Sequence, residues 1–349
     1  MGLIHPVDLA SWQAWQNRQH RMIAAARRLR AARQPAPPSR WVATAPTEDG
    51  RPDALFVLDS ANATSRHAVL APAMLRGARS AVVASVDPTT MVPDTWSVRA
   101  LTASALEQIL DQCRAVVSMA HYLPLGAEIW AAAKDRDLPW ATVQHGLLTP
   151  YSPPAPDHGT LLTWSDEDAT YWLSGRDDIG TVTVGSQLLH QASLRPAPHV
   201  SRFLRPVFLG QLHGAELPRS TLARAARSFC SATGARYRPH PAEVDRLSRW
   251  QHRWWQRGGI EIDRAGVDLS RLDEPTVSVF STGVLEAAAR GIPAWVWCPD
   301  PPPWLTEFWR RYRMHPWGGQ PTPAPTVGDR APAEAVVDWV DEHVERGRR

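Results

Sequence analysis

Lysine is almost missing from this 349-residue chain: Lys134 stands alone among 38 basic residues, the rest being arginine. With abundant alanine and proline, this reads as a compositional bias of the source genome, and no function follows from it. Long apolar runs are missing too. None approaches the roughly 20 residues needed to cross a bilayer, and the N-terminus is polar and basic where a secretory signal would be apolar. The expected compartment is the cytoplasm. Cysteine is scarce, and Cys113, Cys230 and Cys298 lie too far apart for a metal knuckle or a CxxC pair. Their odd number argues against a disulfide framework, so reduced, structural thiols are expected. Low-complexity tracts and internal repeats are absent, which excludes disordered, collagen-like, coiled-coil and solenoid chains.

What is present suits a globule. Hydrophobic residues make up 44 % and charged residues 21 % of a chain long enough for two packed domains. The net charge of +3 is unevenly placed. Residues 1 to 40 hold seven arginines against the single acid Asp8, leaving 31 basic and 34 acidic groups in the remainder. A slightly acidic body offers no basic face to nucleic acid, so no nucleic-acid partner is expected.

Between Ser11 and Arg33 the pattern predicts a helix. Trp12, Trp15, Met22, Ala26 and Leu29 share one stripe, six arginines cover much of the rest, and the prolines of QPAPPS end it. Residues 11 to 33 suit an anionic membrane surface; packing on the adjoining domain is the other reading.

From Asp53 onward, apolar runs alternate with helical patterns. ALFVLDS (Ala54 to Ser60), AVVASVD (Ala81 to Asp87), RAVVSMA (Arg114 to Ala120), WATVQHG (Trp140 to Gly146), GTLLTWS (Gly159 to Ser165) and TVTVG (Thr181 to Gly185) read as strands of a doubly wound half. A Pro/His/Arg-rich stretch from Leu194 to Arg205 reads as a linker, and the pattern restarts at PVFLGQ (Pro206 to Gln211). Later runs are ARYRPHP (Ala235 to Pro241), Gly258 to Asp263, TVSVFS (Thr276 to Ser281) and PAWVWC (Pro293 to Cys298), with helices between. The expected fold class is α/β, with two Rossmann-like domains facing a cleft. The boundaries are 1–40 for the basic helix and linker, 41–200 for an acceptor domain, 201–330 for a donor-binding domain, and 331–349 for a C-terminal helix.

In such sheets ligands bind outside the carboxyl ends of strands, so polar residues that follow a strand are the candidates. In YRPHPAE (Tyr237 to Glu243), Arg238 and His240 leave a strand between two prolines and precede a helix. That arrangement suits a pyrophosphate, or else a surface turn whose histidine caps the helix. In VSVFSTGVLEAAARGIPAWV (Val277 to Val296), Ser281, Thr282 and Gly283 join a strand to a helix, a ready anion site. Glu286, one turn in, could accept hydrogen bonds from ribose hydroxyls or simply complement the helix dipole. Gln144, His145 and Gly146 end a strand of the first half. An imidazole there can take a proton from an attacking hydroxyl, and glycine admits a substrate close to the backbone.

Further candidates flank these. Asp157 and His158 lie in the Pro-rich loop after His145. Asp59, Ser60, Asn62 and His67 follow the first strand, and Gly210, Gln211, His213 and Gly214 follow the strand that opens the second half. The run Asp166, Glu167, Asp168 formally matches DxD, yet its place before a helical pattern favours capping. No HExxH or P-loop pattern occurs, so no metal is expected. Of the 17 tryptophans, Trp250, Trp254 and Trp255 on one predicted helix, and Trp304, Trp309 and Trp317 near the C-terminus, suit sugar stacking or, for most of them, packing.

The pairing of YRPHPAE with FSTGVLEAAARGIPAWV, about 40 residues apart, resembles the donor domain of GT-B-type transferases that build bacterial surface polymers. The likeness is to capsule glycosyltransferases of the polysialyltransferase and Kdo-transferase type and to teichoic-acid CDP-glycerol glycerophosphotransferases. It implies donor phosphate at Arg238, His240, Ser281 and Thr282, ribose at Glu286, and, from WATVQHG, a general base at His145. Leu147 to Thr149 and FSTG differ from the teichoic-acid pattern. The expected activity is therefore metal-independent sugar transfer from a nucleotide-activated donor, with no separate cofactor, to a hydroxyl of a glycan or lipid-linked acceptor. Capsule or cell-wall polysaccharide synthesis at the inner face of the cell membrane is the implied setting. The alternatives are glycerophosphate transfer and a non-catalytic partner of the same fold docked at the membrane. An epimerase would want paired acids, which the sequence does not place.

Overall fold

The six apolar runs of the first half become six parallel strands in a computed structural model, which describes residues 2–19, 40–47, 51–197, 204–264 and 269–347. They are β2 (Ala54–Leu58), β3 (Ser80–Ala84), β5 (Ala115–Ser118), β6 (Trp140–Val143), β7 (Thr160–Thr163) and β8 (Gly180–Thr183). At one edge β1 (Trp41–Thr44) runs antiparallel to β3 and β4 (Ser97–Ala100) antiparallel to β1, and the order is β4-β1-β3-β2-β5-β6-β7-β8. The fold class is thus α/β, with a large mixed sheet compatible with a Rossmann-like fold. Strands β2 and β3 are buried on both faces, as continuous apolar runs require. Alternation splits them between two cores. Phe56, Leu58 and Val82 face one, Leu55, Val57 and Val83 the other.

Contacts divide the chain into two compact units, Met1–Leu188 with Gly328–Arg349, and Leu189–Val327. The helix Pro332–Arg346 belongs to the first unit, where Val336, Trp339, Val340 and Val344 join the core. Arg76 secures it further, reaching Asp341 and the buried Asp53, each at 2.8 Å.

The helix after β2 has an uneven course. It starts at Ala63–Ser65 under an Asn62 cap, passes through a π-helical turn Arg66–Leu70 and continues as Ala71–Arg76. Pro72 cannot donate to the fourth residue back, and the preceding amide, that of Ala71, instead reaches five residues back to the Arg66 carbonyl.

In the second unit β9 (Val207–Leu209), β10 (Arg236–Arg238), β11 (Thr276–Ser278) and β12 (Ala294–Val296) form a parallel sheet in the order β10-β9-β11-β12. Two single-residue parallel bridges extend it, Tyr237 with Ile262 and Val296 with Pro316. Counting those edges in chain order, the sheet reads 3-2-1-4-5-6, the doubly wound order whose switch point lies between its first and fourth strands. The Gly258 to Asp263 run is therefore a single bridge at Ile262 rather than a full strand.

The N-terminal helix is described over Leu9–Gln19; its expected continuation to Arg33 lies outside the described residues. Trp12 is buried, meets Tyr122 edge-on at 4.9 Å and donates from Nε1 to the Tyr151 carbonyl, while Trp15 stacks on Tyr151. All three cysteines are buried and unpaired, and burial pushes the Cys230 thiol up to about 12. Among the described residues no helix is long and apolar enough to cross a membrane.

Candidate functional site

The carboxyl ends of β6, β7 and β8 open into a narrow pocket within the first unit. Gln144 and His145 after β6, Trp164 after β7, Gly185 and Ser186 after β8, and Thr64 and His67 from the irregular helix all line it. Pro332, Ala333 and Val336 of the C-terminal helix close one wall. His67, Gln144 and His145, singled out separately in the sequence, thus meet in one cavity.

Gln144 is the scaffold of this pocket. Its Nε2 donates to Asp168 Oδ2 at 2.8 Å and to the Gly146 carbonyl, while its Oε1 accepts from the Trp164 amide at 2.8 Å. Every polar atom of that side chain is engaged, so its part is to hold the loops in place. His145 differs. Its Nδ1 is buried and has no hydrogen-bond partner. Burial pushes its pKa below the ordinary histidine value, opposed by a hydrogen bond to the Val143 carbonyl. The imidazole is neutral at pH 7, as a proton acceptor must be. A side chain at Gly146 would meet nothing within 4 Å, so the backbone beside His145 faces open space.

Asp59 sits at the switch point of the larger sheet, between β2 and β5. Its Oδ1 accepts from the Gly126 amide at 3.2 Å, at the start of the helix Pro124–Lys134, whereas Oδ2 is buried without a partner. Burial raises its pKa to about 6, against the pull of the Gly126 and Leu125 amides. Between the unfolded value of 3.8 and about 6 the folded state binds more protons, so ionising Asp59 costs stability as pH rises through that window. Asp59→Asn is expected to stabilise the protein by roughly 2 kcal/mol at pH 7, an advantage that shrinks as pH falls toward 4. Urea midpoints of both proteins at the two pH values check this; an equal gain at both would assign it to another cause. Ser60 and Asn62 have local duties: Ser60 Oγ pairs with Ser65 Oγ, and Asn62 Oδ1 caps the Ser65 amide.

Asp157 and His158 do not join this pocket. They precede β7 at the amino end of the sheet, where Asp157 pairs with Lys134 at 2.7 Å and His158 lies 4.0 Å from Asp137. The acidic run Asp166–Asp168 forms the first turn of the helix Asp166–Leu173, capped by Ser165, as its position predicts. Among the described residues no three His, Cys, Asp or Glu side chains are grouped so as to hold a metal ion.

In the second unit the candidates follow three adjacent strands, β10, β9 and β11. His240 stacks on His213 with ring centroids 3.7 Å apart. The Ala242 amide donates to its Nδ1, which leaves the ring proton on Nε2. Burial lowers its pKa, with Glu243 opposing, so the ring favours its neutral form with an N–H donor. Arg238 is committed nearer home, 3.9 Å from Asp263, which also faces Arg236 at 3.8 Å. Gln211 Oε1 accepts from the Phe280 amide and the Ser278 hydroxyl, joining the β9 and β11 loops across the switch point. Ser281 caps the helix Thr282–Ala289 through the Gly283 amide; Glu286 lies one turn in, half-buried. Gly283 allows a close approach, since a side chain there would meet Leu209 at 2.6 Å.

Glu243, which carried no assignment in the sequence, organises this edge. Its buried carboxylate accepts from Tyr237 Oη at 2.9 Å, the Leu212 amide at 3.0 Å, the His240 amide at 3.3 Å and His252 Nε2 at 3.0 Å. The spacing had a legible signal: a glutamate three residues after His240 reaches back to its amide, as in a capping box. Tyr237 Oη and Glu243 Oε1 would lie 2.3 and 2.8 Å from a side chain at Gly210, so only glycine fits beneath the network. Comparison of the chain with protein-family models and with curated proteins finds no match in either.

Proposed function

We propose that the chain is a transferase of the GT-B type, moving a sugar from a nucleotide-activated donor to a hydroxyl of a cell-surface glycan or lipid-linked acceptor. The observation that carries this reading is His145: a neutral imidazole with an unpartnered nitrogen, in a pocket at the carboxyl edge of a parallel sheet. The acceptor hydroxyl gives its proton to the His145 imidazole while its oxygen attacks the anomeric carbon and the bond to the donor phosphate breaks. In the second unit the neutral His240 N–H, the Ser281 and Thr282 hydroxyls and the start of the following helix receive the departing phosphate. Glu286 is the ribose contact in this reading, and Arg238 contributes positive charge shared with Asp263. The doubly wound order of that unit supports a nucleotide at its switch point.

Thermal melts of the full chain with CMP, CDP, UDP and GDP test it. A nucleotide at about a hundred times its dissociation constant adds about 2.7 kcal/mol, which raises the melting midpoint by several degrees. A rise with at least one of the four is expected. No rise with any of them overturns the donor assignment.

A further inference from the structure

The helix Arg246–Arg257 carries three distinct stripes. At 100° per residue, Ser248, His252 and Trp255 fall within an arc of about 60° and are buried in the second unit. Leu247, Trp250 and Trp254 occupy another arc of about 60° and are exposed, at 53 %, 57 % and 43 %. Exposed Val244 lies just before the helix. Arg246, Arg249, Arg253 and Arg257 fill a third arc beside the exposed apolar one, and the helix holds no acid. The neighbouring helix Arg219–Thr233 also lacks acids, and its Arg219 bonds to Ser248 and Gln251, holding the two helices together. Between them runs a groove bordered by Arg224, Arg227, Ser228 and Trp254.

We propose that this two-helix face docks on an anionic phospholipid bilayer. An apolar stripe bearing two indoles, flanked by arginines on a helix that itself holds no acid, is the composition of a helix lying at the headgroup boundary. The exposed aliphatic residues in line with the indoles separate a bilayer from the other occupants of such a face. Trp250 and Trp254 lie parallel, 1° apart in plane, and the Arg227 guanidinium sits 4.4 Å from the Trp254 ring centroid. Leu247 and Val244, in line with them, give a polyanion nothing to bind, whereas lipid covers them. This surface is distinct from the sites of the transferase reading, and either can fail without the other.

Co-sedimentation of the full chain with vesicles of phosphatidylcholine, alone or mixed with phosphatidylglycerol, tests the proposal. The mixed vesicles are expected to bind at least about tenfold more tightly, with salt reducing the difference. Trp250→Glu with Trp254→Glu should bring binding down to the phosphatidylcholine level. Arg249→Glu with Arg253→Glu should do the same, and all four positions are exposed, so circular dichroism should be unchanged. The proposal is overturned if the wild-type chain ignores both vesicles, or if the tryptophan variant binds like wild type, which would place the attraction elsewhere. Tryptophan-dependent binding to a single-stranded oligonucleotide as tight as to vesicles would also overturn it.

Discussion

Donor turnover in His145→Ala is expected to fall by about 10²–10⁴-fold, the usual contribution of a positioned general base. The side chain ends in a buried, unpartnered Nδ1, so alanine removes the proton acceptor without stranding a hydrogen-bond donor there. Loss is expected in kcat more than in KM, because the proton moves only as the transition state is reached. The pH profile gives a second readout. Burial holds the imidazole pKa below its ordinary 6.5, so the acid limb of wild-type activity should fall below that value. Retained turnover in the variant would remove His145 from the chemistry.

Glu243→Ala should cost about 3–5 kcal/mol, the scale on which breaking a buried pair destabilises a fold. Four donors converge on the carboxylate, and alanine would leave the buried Tyr237 hydroxyl, the His252 ring and two amides without it. Glu243→Gln keeps an acceptor oxygen but sets an N–H₂ group against donors, and should fall between. Urea unfolding followed by tryptophan fluorescence checks both, and a loss below about 1 kcal/mol would show that water replaces the network readily. Since the carboxylate also holds the His240 amide, a mild variant should weaken nucleotide binding before it unfolds the unit.

The strands of the first half were legible because β2, β3, β5 and β6 are short apolar runs closed off by turn residues and buried on both faces. Strand β4 was not. It is an edge strand, exposed along most of its length, and SVRA carries no apolar signal. The candidate pocket was half legible: Gln144 and His145 follow a strand, but its wall of Pro332, Ala333 and Val336 comes from far along the chain. Periodicity reports local structure and carries no information on which distant helix covers which edge. Charge pairing was equally silent, since nothing local marks Asp263 as the partner of Arg238. Trp255 and Trp309 are core residues, yet Trp250 and Trp254 face solvent on the helix that buries Trp255. Apolar residues wrap more than one side of that helix, and the sequence does not say which side faces inward.

The first unit is discontinuous: residues Leu189–Val327 fold as a separate body between its sheet and its last helix. During synthesis the intervening body emerges and can close while the sheet still waits for Val336, Trp339, Val340 and Val344. Until that segment clears the ribosome, the surface of the irregular helix it will cover stays open to chaperones, and the cavity around His145 has only part of its lining. A stop codon between positions 328 and 332 would release a chain whose second body is whole and whose first can never be sealed.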